Sequence, residues 1–160
     1  MIQLLITIDD ISRLSSFDGN IDNDSINPFI FMAQNSEIKR ILGDDLYSKI
    51  LTDFENDALT GDYLKIYHDY ISVILAYYTC SLYLQLAIPK VSQNGVYLVT
   101  PEKTEQIFDD KTNGMAQKYE KLAVGLELKF IEVLDELNLP ERPAPSTIKA
   151  KSNFNWIKVK

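Results

Sequence analysis

The 160-residue chain has little of what small enzymes and secreted domains use for chemistry or cross-linking, with one cysteine, one histidine and six glycines. A single cysteine, Cys80, excludes an intrachain disulfide and is consistent with a reducing compartment. A single histidine, His68, excludes a metal site built from several histidines. The glycines form neither a Gly-x-Gly-x-x-Gly fingerprint nor a phosphate-binding loop, which argues against a nucleotide-binding enzyme.

The candidate catalytic and metal-binding side chains have simpler structural explanations. Asp69 follows His68, but adjacent residues on a helix point in different directions, so Asp69 is badly placed to orient a general base. Cys80 lies among apolar residues and is predicted to be a small core residue. Three acidic pairs offer a weaker alternative, an enzyme that borrows a metal, although two of the pairs stand at predicted helix starts and there offset the helix dipole. These pairs are Asp9-Asp10, Asp44-Asp45 and Asp109-Asp110. We therefore predict no enzyme and no catalytic, cofactor-binding or metal site.

Charge divides the chain into two parts. Residues 1–137 hold 22 acidic and 11 basic side chains, a net charge of −11, whereas residues 138–160 hold one acid, Glu141, and a net charge of +4. An acidic body repels a phosphate backbone, which argues against duplex DNA binding by the body. Three prolines within 140–145 favour extended polyproline geometry and stop the preceding helix. The sequence predicts a folded domain over 1–137 and an extended basic arm over 138–160.

The predicted arm carries large apolar side chains that a purely solvating tail does not need. Phe154 and Trp156 are two residues apart and therefore share one side of an extended segment. We predict that the arm docks on a partner, and that deleting 138–160 leaves the melting temperature of the domain almost unchanged. The predicted partner-binding residues of the arm are Arg142, Lys149, Lys151, Phe154, Trp156, Ile157 and Lys158.

Helical signals dominate the body. Thr7 to Asp10 has the pattern of a capping box, which predicts a first helix over 8–17. Asn27-Pro28 predicts the start of a second helix, and Gly43 predicts its end. A third helix follows, a long central helix opens at Thr60, and a last helix runs from 100 to 137. The predicted apolar face of the last helix consists of Met115, Tyr119, Leu122, Leu126, Phe130, Val133 and Leu137.

The central helix contains 18 consecutive residues, 71–88, without a charge. A membrane span is one interpretation of such a stretch, and a buried core helix is the other. Polar side chains are spread through it and its tyrosines lie near the middle, whereas membrane tyrosines gather at the two interfaces. The sequence favours a buried central helix in an all-α bundle of about five helices. The first residues carry no basic leader, and we expect synthesis inside the cell without membrane insertion.

A β-hairpin is predicted between the two longest helices. Pro89 ends the central helix, and Asn94-Gly95 stands between β-prone flanks, which is a strong signal for a tight two-residue turn. A lone two-stranded hairpin is marginally stable in water, so it either packs on its own domain or is completed by a neighbouring chain. We predict that Asn94, Gly95 and Tyr97 of this hairpin, which covers 89–99, contact a partner.

This order of elements resembles the head–tail connector, or adaptor, proteins of tailed bacteriophages, in the form found in phages of Bacteroidetes. The resemblance covers 1–137 and includes the stretch Ile41-Leu42-Gly43-Asp44-Asp45-Leu46-Tyr47 and the tyrosine-rich helix from Tyr63 to Leu86. It implies a virion subunit that forms a ring of twelve copies below the portal protein, lines the DNA channel without binding DNA specifically and joins other neck or tail proteins. It also places the hairpin at the insertion that such proteins use for ring contacts. The alternative is a small helical regulatory or scaffolding module whose arm binds a cellular partner.

Overall fold

The computed structural model describes residues 3–17, 21–86, 89–92, 95–98 and 110–142. Within these residues the chain forms five helices, which confirms the all-α class. They are α1 (Ile8–Leu14), α2 (23–42), α3 (Asp44–Glu55), α4 (61–86) and α5 (Asp110–Leu137). Two short strands, β1 (Pro89–Ser92) and β2 (Gly95–Leu98), pair antiparallel with Ser92 opposite Gly95. The predicted turn Asn94-Gly95 is therefore wrong by one residue, because the backbone pairing continues to Gly95 and makes it part of β2. Contact of the hairpin with a neighbouring chain stays a prediction.

Helices α2 and α4 each contain one π-helical turn. In α2 the turn Gln34–Ile38 separates the α-helical parts Asn23–Ala33 and Lys39–Leu42. In α4 the turn Tyr67–Ile71 separates Gly61–Ile66 from Ser72–Leu86. A π turn inserts a residue into the helical repeat and often marks a site with a special role. Here the first residue of each turn, Gln34 or Tyr67, holds the N-terminal segment, as described below.

The start of α1 confirms the predicted capping box, while its end differs from the prediction. The Thr7 hydroxyl accepts a hydrogen bond from the Asp10 N–H, and the Asp10 carboxylate accepts one from the Thr7 N–H. The helix ends at Leu14 and not at residue 17, because the chain turns away to place Phe17 between two rings. The Phe17 ring lies edge-on to Tyr83 and Tyr119, at centroid distances of 5.8 and 5.7 Å.

Helix α2 begins five residues earlier than predicted, at Asn23, and Pro28 lies inside it. Ile26 and Ile30 are both fully buried one helical turn apart, so burial of Ile26 favours extending the helix ahead of the proline. The missing Pro28 N–H leaves the Asp24 carbonyl without its helical donor, and water can bond it because Asp24 is exposed. Gly43 ends α2 with a positive φ of 81°, as predicted.

The central position of α4 confirms the predicted buried helix. From Ser72 onward most of its side chains are buried, including the polar Ser72, Thr79 and Ser81. Their hydroxyls donate to backbone carbonyls, for example Thr79 to Leu75 at 2.7 Å, which satisfies groups that would be costly to bury unpaired. No helix among the described residues is both long enough and apolar enough to cross a membrane.

The buried face of α5 confirms part of the predicted face, because Tyr119 and Phe130 are buried as expected. Other predicted positions differ. Met115 and Leu122 are 43% and 52% exposed, whereas the buried stripe lies one residue further along the helix. The stripe consists of Ala116, Tyr119, Ala123, Glu127, Phe130 and Leu134. The small side chains of Ala116 and Ala123 let α5 approach α4 closely, and the Ser81 hydroxyl donates to the Ala116 carbonyl at 3.0 Å. The prediction counted only large apolar residues. It therefore included the exposed Met115 and Leu122 and omitted the buried Ala116 and Ala123.

Candidate interaction surfaces

Helices α4 and α5 form an antiparallel pair with a different attachment at each end. Contacts run in opposite order along the two helices: Ser81 meets Ala116, Tyr78 meets Glu127 and Tyr70 stacks on Phe130 at 5.0 Å. The C-terminal end of α4 and the N-terminal end of α5 therefore lie together, and the chain between them carries the hairpin. The other end of the pair holds residues 138–142, which lead into the arm.

Residues 138–142 are fixed to the domain. Leu139 is buried, and the Arg142 side chain is only 4% exposed. Its guanidinium donates to one carboxylate oxygen of Asp135, from Nη2 at 2.6 Å and from Nε at 3.1 Å. The Tyr63 hydroxyl donates to Glu141 at 2.8 Å, and this hydrogen bond raises the pKa of Tyr63 to about 12. These contacts join the start of the arm to α4 and α5.

The structure thus places Arg142 differently from the expectation that groups it with the free arm. A buried guanidinium that is already paired with Asp135 anchors the chain and is not displayed to a partner. Because Leu139 and Arg142 pack against the domain, deleting everything after residue 137 removes core contacts and not only an appendage. The acidic Glu141 and basic Arg142 cancel, so the segment 143–160 keeps the whole charge of +4 predicted for the arm.

The N-terminal segment is held by two side chains that the sequence reasoning missed. Gln34 is 1% exposed; its Oε1 accepts from the Leu5 N–H at 2.8 Å, and its Nε2 donates to the Gln3 carbonyl at 3.1 Å. The Tyr67 hydroxyl donates to the Leu5 carbonyl at 2.7 Å. Burial raises the pKa of Tyr67 to about 12. Each of these residues opens a π turn, so the two helical irregularities face one N-terminal segment that contains the buried Leu5 and Ile6.

A buried carboxylate joins α5 to α2. Glu127 is 1% exposed, and its Oε2 accepts from Arg40 Nη2 at 2.7 Å and from the Tyr78 hydroxyl at 2.8 Å. Arg40 also donates to Glu37 from Nε and Nη2. Burial and the hydrogen bond to Glu127 both raise the pKa of Tyr78. Among the described residues, neither Glu127 Oε1 nor Arg40 Nη1 has a hydrogen-bond partner. The cluster is an electrostatic link between helices α2, α4 and α5.

An open groove lies beside α5, between the end of α1 and α4. It has a volume of about 680 Å³. Its lining comprises Leu14, Ser15, Ser16, Tyr77, Met115, Lys118, Tyr119 and Leu122. The Tyr119 hydroxyl accepts from the Ser16 N–H at 3.1 Å and lies 2.6 Å from Ser16 Oγ, which fixes the wall of the groove. Leu122 and Met115 are the exposed remainder of the apolar face predicted for the last helix.

The other residues singled out in the sequence fall into three groups. His68 is exposed with its ring 5.2 Å from that of Tyr67, and Cys80 is fully buried; burial raises the pKa of its thiol to about 11. For Gly95 and Tyr97 the structure describes the backbone of β2 alone. The remaining predicted contacts lie outside the described residues: Asn94, Lys149, Lys151, Phe154, Trp156, Ile157 and Lys158. Within the described ranges, no group of three or more His, Cys, Asp or Glu side chains is arranged to hold a metal ion.

Comparison with known proteins gives one match. A model described as a family of unknown function, DUF6712, matches residues 38–138, from the end of the π turn in α2 to the end of α5. No curated protein and no solved structure matches the chain. The matched region contains Glu127 and its partners Arg40 and Tyr78, but neither the N-terminal segment nor the arm. Since the match spans more than half of the chain, the protein belongs to DUF6712, a family of unknown function.

Proposed function

We propose that this protein is a structural subunit of a ring, a head–tail connector that joins the portal vertex of a tailed bacteriophage capsid to neck or tail proteins. The virion is then its site of action. The observation that carries the proposal is the placement of the two candidate interaction elements. The hairpin segment is attached at one end of the α4–α5 pair, and the arm leaves from the other end, beyond Arg142.

This placement suits a protein that links a component above it to one below. A helix of 26 residues is about 39 Å long at 1.5 Å per residue, so α4 keeps the two attachment points a fixed distance apart. The buried hydrogen bond from Tyr78 to Glu127 and the close packing of α4 on α5 make the pair a rigid spacer. A spacer with one candidate interaction element at each end is what a stacked assembly requires.

The distribution of charge also supports the proposal. Most acidic side chains of the described domain lie at the surface, and an acidic channel wall lets DNA pass without sticking because few phosphates are neutralised. The segment 143–160, with a charge of +4, is complementary to the acidic body of a neighbouring subunit. Two prolines at 143 and 145 lower the ordering entropy of laying the segment down.

Mass measurement of the purified full-length chain, alone and mixed with a portal protein, tests the proposal. We expect a closed ring, twelve copies in the form that the resemblance implies, and a larger complex when portal is added. The alternative is a regulatory or scaffolding module, which predicts a monomer or small oligomer that ignores portal proteins at every concentration. That second result would overturn the connector function.

A further inference from the structure

The groove beside α5 has the features of a protein docking site. It is an open groove with a volume of about 680 Å³. Its apolar lining includes Met115 and Leu122, which are 43% and 52% exposed and stand two helical turns apart on α5. Lys118 lies between them and makes no ion pair with a described residue, and Lys121 is exposed one turn further on. The groove is therefore apolar in its lining and basic along its α5 edge.

A second apolar surface lies on α2. Phe31 and Met32 are 40% and 44% exposed, the only adjacent pair of large apolar residues so exposed among those described. Asp24 lies two turns before Phe31 on the same face of α2 and is exposed. Between 22 and 38 the sequence contains acidic residues and no lysine or arginine. This surface, called here the α2 face and defined by Asp24, Phe31 and Met32, is therefore apolar and acidic.

We propose that the groove of one copy receives Phe31 and Met32 from the α2 face of a second copy. The contact then removes apolar side chains of both copies from water. Asp24 of one copy supplies the charge opposite to that of Lys118 and Lys121 of the other. The groove and the α2 face have no residue in common, so the contact is head to tail, and such contacts close into rings when the rotation allows. This inference rests on the proposed ring function and names the surface by which neighbouring subunits meet.

Two variants of the full-length chain test the contact by complementation. Leu122→Asp places a charge in the apolar groove and leaves the α2 face intact. Met32→Asp places a charge on the α2 face and leaves the groove intact. Because both side chains are half exposed, neither change disturbs the core. Alone, each variant should need about 30-fold more protein than the wild type to assemble, the effect expected of a central contact residue. Mixed, the two should form a one-to-one dimer and nothing larger, since each pair retains one intact contact.

Leu128→Asp is the matched control. Leu128 is 50% exposed on the same helix but outside the groove, so its assembly measured by sedimentation velocity should match that of the wild type. Equal loss in Leu122→Asp and Leu128→Asp, or no dimer in the mixture, would overturn the proposed contact. Rings that persist in Leu122→Asp would overturn it and leave the connector function standing on another surface. A wild type that stays monomeric would overturn both.

The arm is the rival occupant of the groove, and truncation decides between the two. Repeating the mixing experiment with both variants shortened to residue 142 should give the same dimer if the α2 face is the occupant. Loss of the dimer on truncation would assign the groove to residues 143–160 and contradict the proposal.

Discussion

Glu127 is the residue on which the packing of three helices converges. It lies at a core position of α5, yet it carries a carboxylate that bonds Arg40 from α2 and Tyr78 from α4. Burying a charge is costly unless the charge is paired and hydrogen-bonded, and removing one partner leaves the other uncompensated. The cluster therefore specifies how α2 packs against α5. A shift of either helix would leave the Glu127 carboxylate or the Arg40 guanidinium buried without its partner.

Neutralising Glu127 tests this role. Glu127→Gln keeps the shape but loses the charge that Arg40 faces, and we expect the free energy of unfolding to fall by about 2 kcal/mol, in the range for hydrogen bonds to charged groups. Glu132→Gln, an exposed site on the same helix, should change the free energy of unfolding by less than about 0.5 kcal/mol. Urea denaturation compares the two. Equal losses would show that the cluster contributes no specific stability.

Tyr67 gives a prediction with a defined pH window. Tyr67→Phe leaves the buried Leu5 carbonyl without its donor, which should cost about 1–2 kcal/mol of unfolding free energy at pH 7. The pKa of Tyr67 is raised from the ordinary value of 10.0 to about 12. The stability that it contributes is therefore present below pH 10 and lost as the pH rises through about 12. The difference in stability between the wild type and Tyr67→Phe should narrow over that window. A difference that stays constant to pH 12 would contradict the assigned bond.

At the scale of elements, the boundary between domain and arm lies in the contacts and not at the end of α5. The helix stops at Leu137, but Leu139, Glu141 and Arg142 still bond or pack against the domain. Asn138 has a positive φ of 49°, which turns the chain back and lets Arg142 reach Asp135 and the Ile131 carbonyl. Residues 138–142, called here the clasp, thus hold the chain after α5 against the domain.

Two truncations separate the clasp from the arm. Ending the chain at residue 142 should leave the melting temperature within about 2 °C of the wild type, because no described contact is removed. Ending it at 137 removes the buried Leu139 and the buried Arg142 guanidinium with its hydrogen bonds to the half-exposed Asp135, which should lower the free energy of unfolding by about 2–4 kcal/mol. Circular dichroism melting curves measure both. Equal melting temperatures for the two truncated chains would show that residues 138–142 add nothing to the fold.

The hairpin is tested by Gly95→Val. Gly95 lies opposite Ser92 at the start of β2, so it belongs to the strand and not to the predicted two-residue turn. A valine at this position adds a side chain to the strand where the glycine has none. If the hairpin contacts a neighbouring subunit, the variant should remain folded by circular dichroism and fail to assemble on size-exclusion chromatography. Loss of about 1 kcal/mol or more of stability with normal assembly would instead mean that the hairpin packs on its own domain.

At the scale of the whole molecule, the proposed ring brings an acidic body and a basic aromatic arm of different copies together. The arm holds Trp156, the one tryptophan of the chain, so its fluorescence reports on the arm alone. We expect solvent-exposed emission in dilute monomer and a blue shift as the protein concentration drives assembly. An emission maximum that is already blue-shifted in a confirmed monomer would place Trp156 against its own domain and contradict docking between copies.

The sequence by itself determined the helical class and several of the helix starts and ends. The capping box at Thr7, the glycine stop at Gly43 and the buried central helix rest on local chemistry: a side chain that bonds its own backbone, a positive φ and a long uncharged stretch. Such features act over one or two turns, so a linear pattern contains them. The change from an acidic domain to a basic segment after residue 142 likewise follows from the sequence alone.

Tertiary structure alone decided which residues accompany Tyr119 and Phe130 on the buried face of α5, and how far the clasp extends. Close packing on α4 favoured the small side chains of Ala116 and Ala123 over the larger Met115 and Leu122, and it brought Glu127 against partners 87 and 49 residues away in the chain. No local pattern marks a carboxylate as buried or an arginine in a proline-rich segment as an anchor. These outcomes depend on which distant groups arrive at the same place, because a buried charge is stable only where its partner also lies.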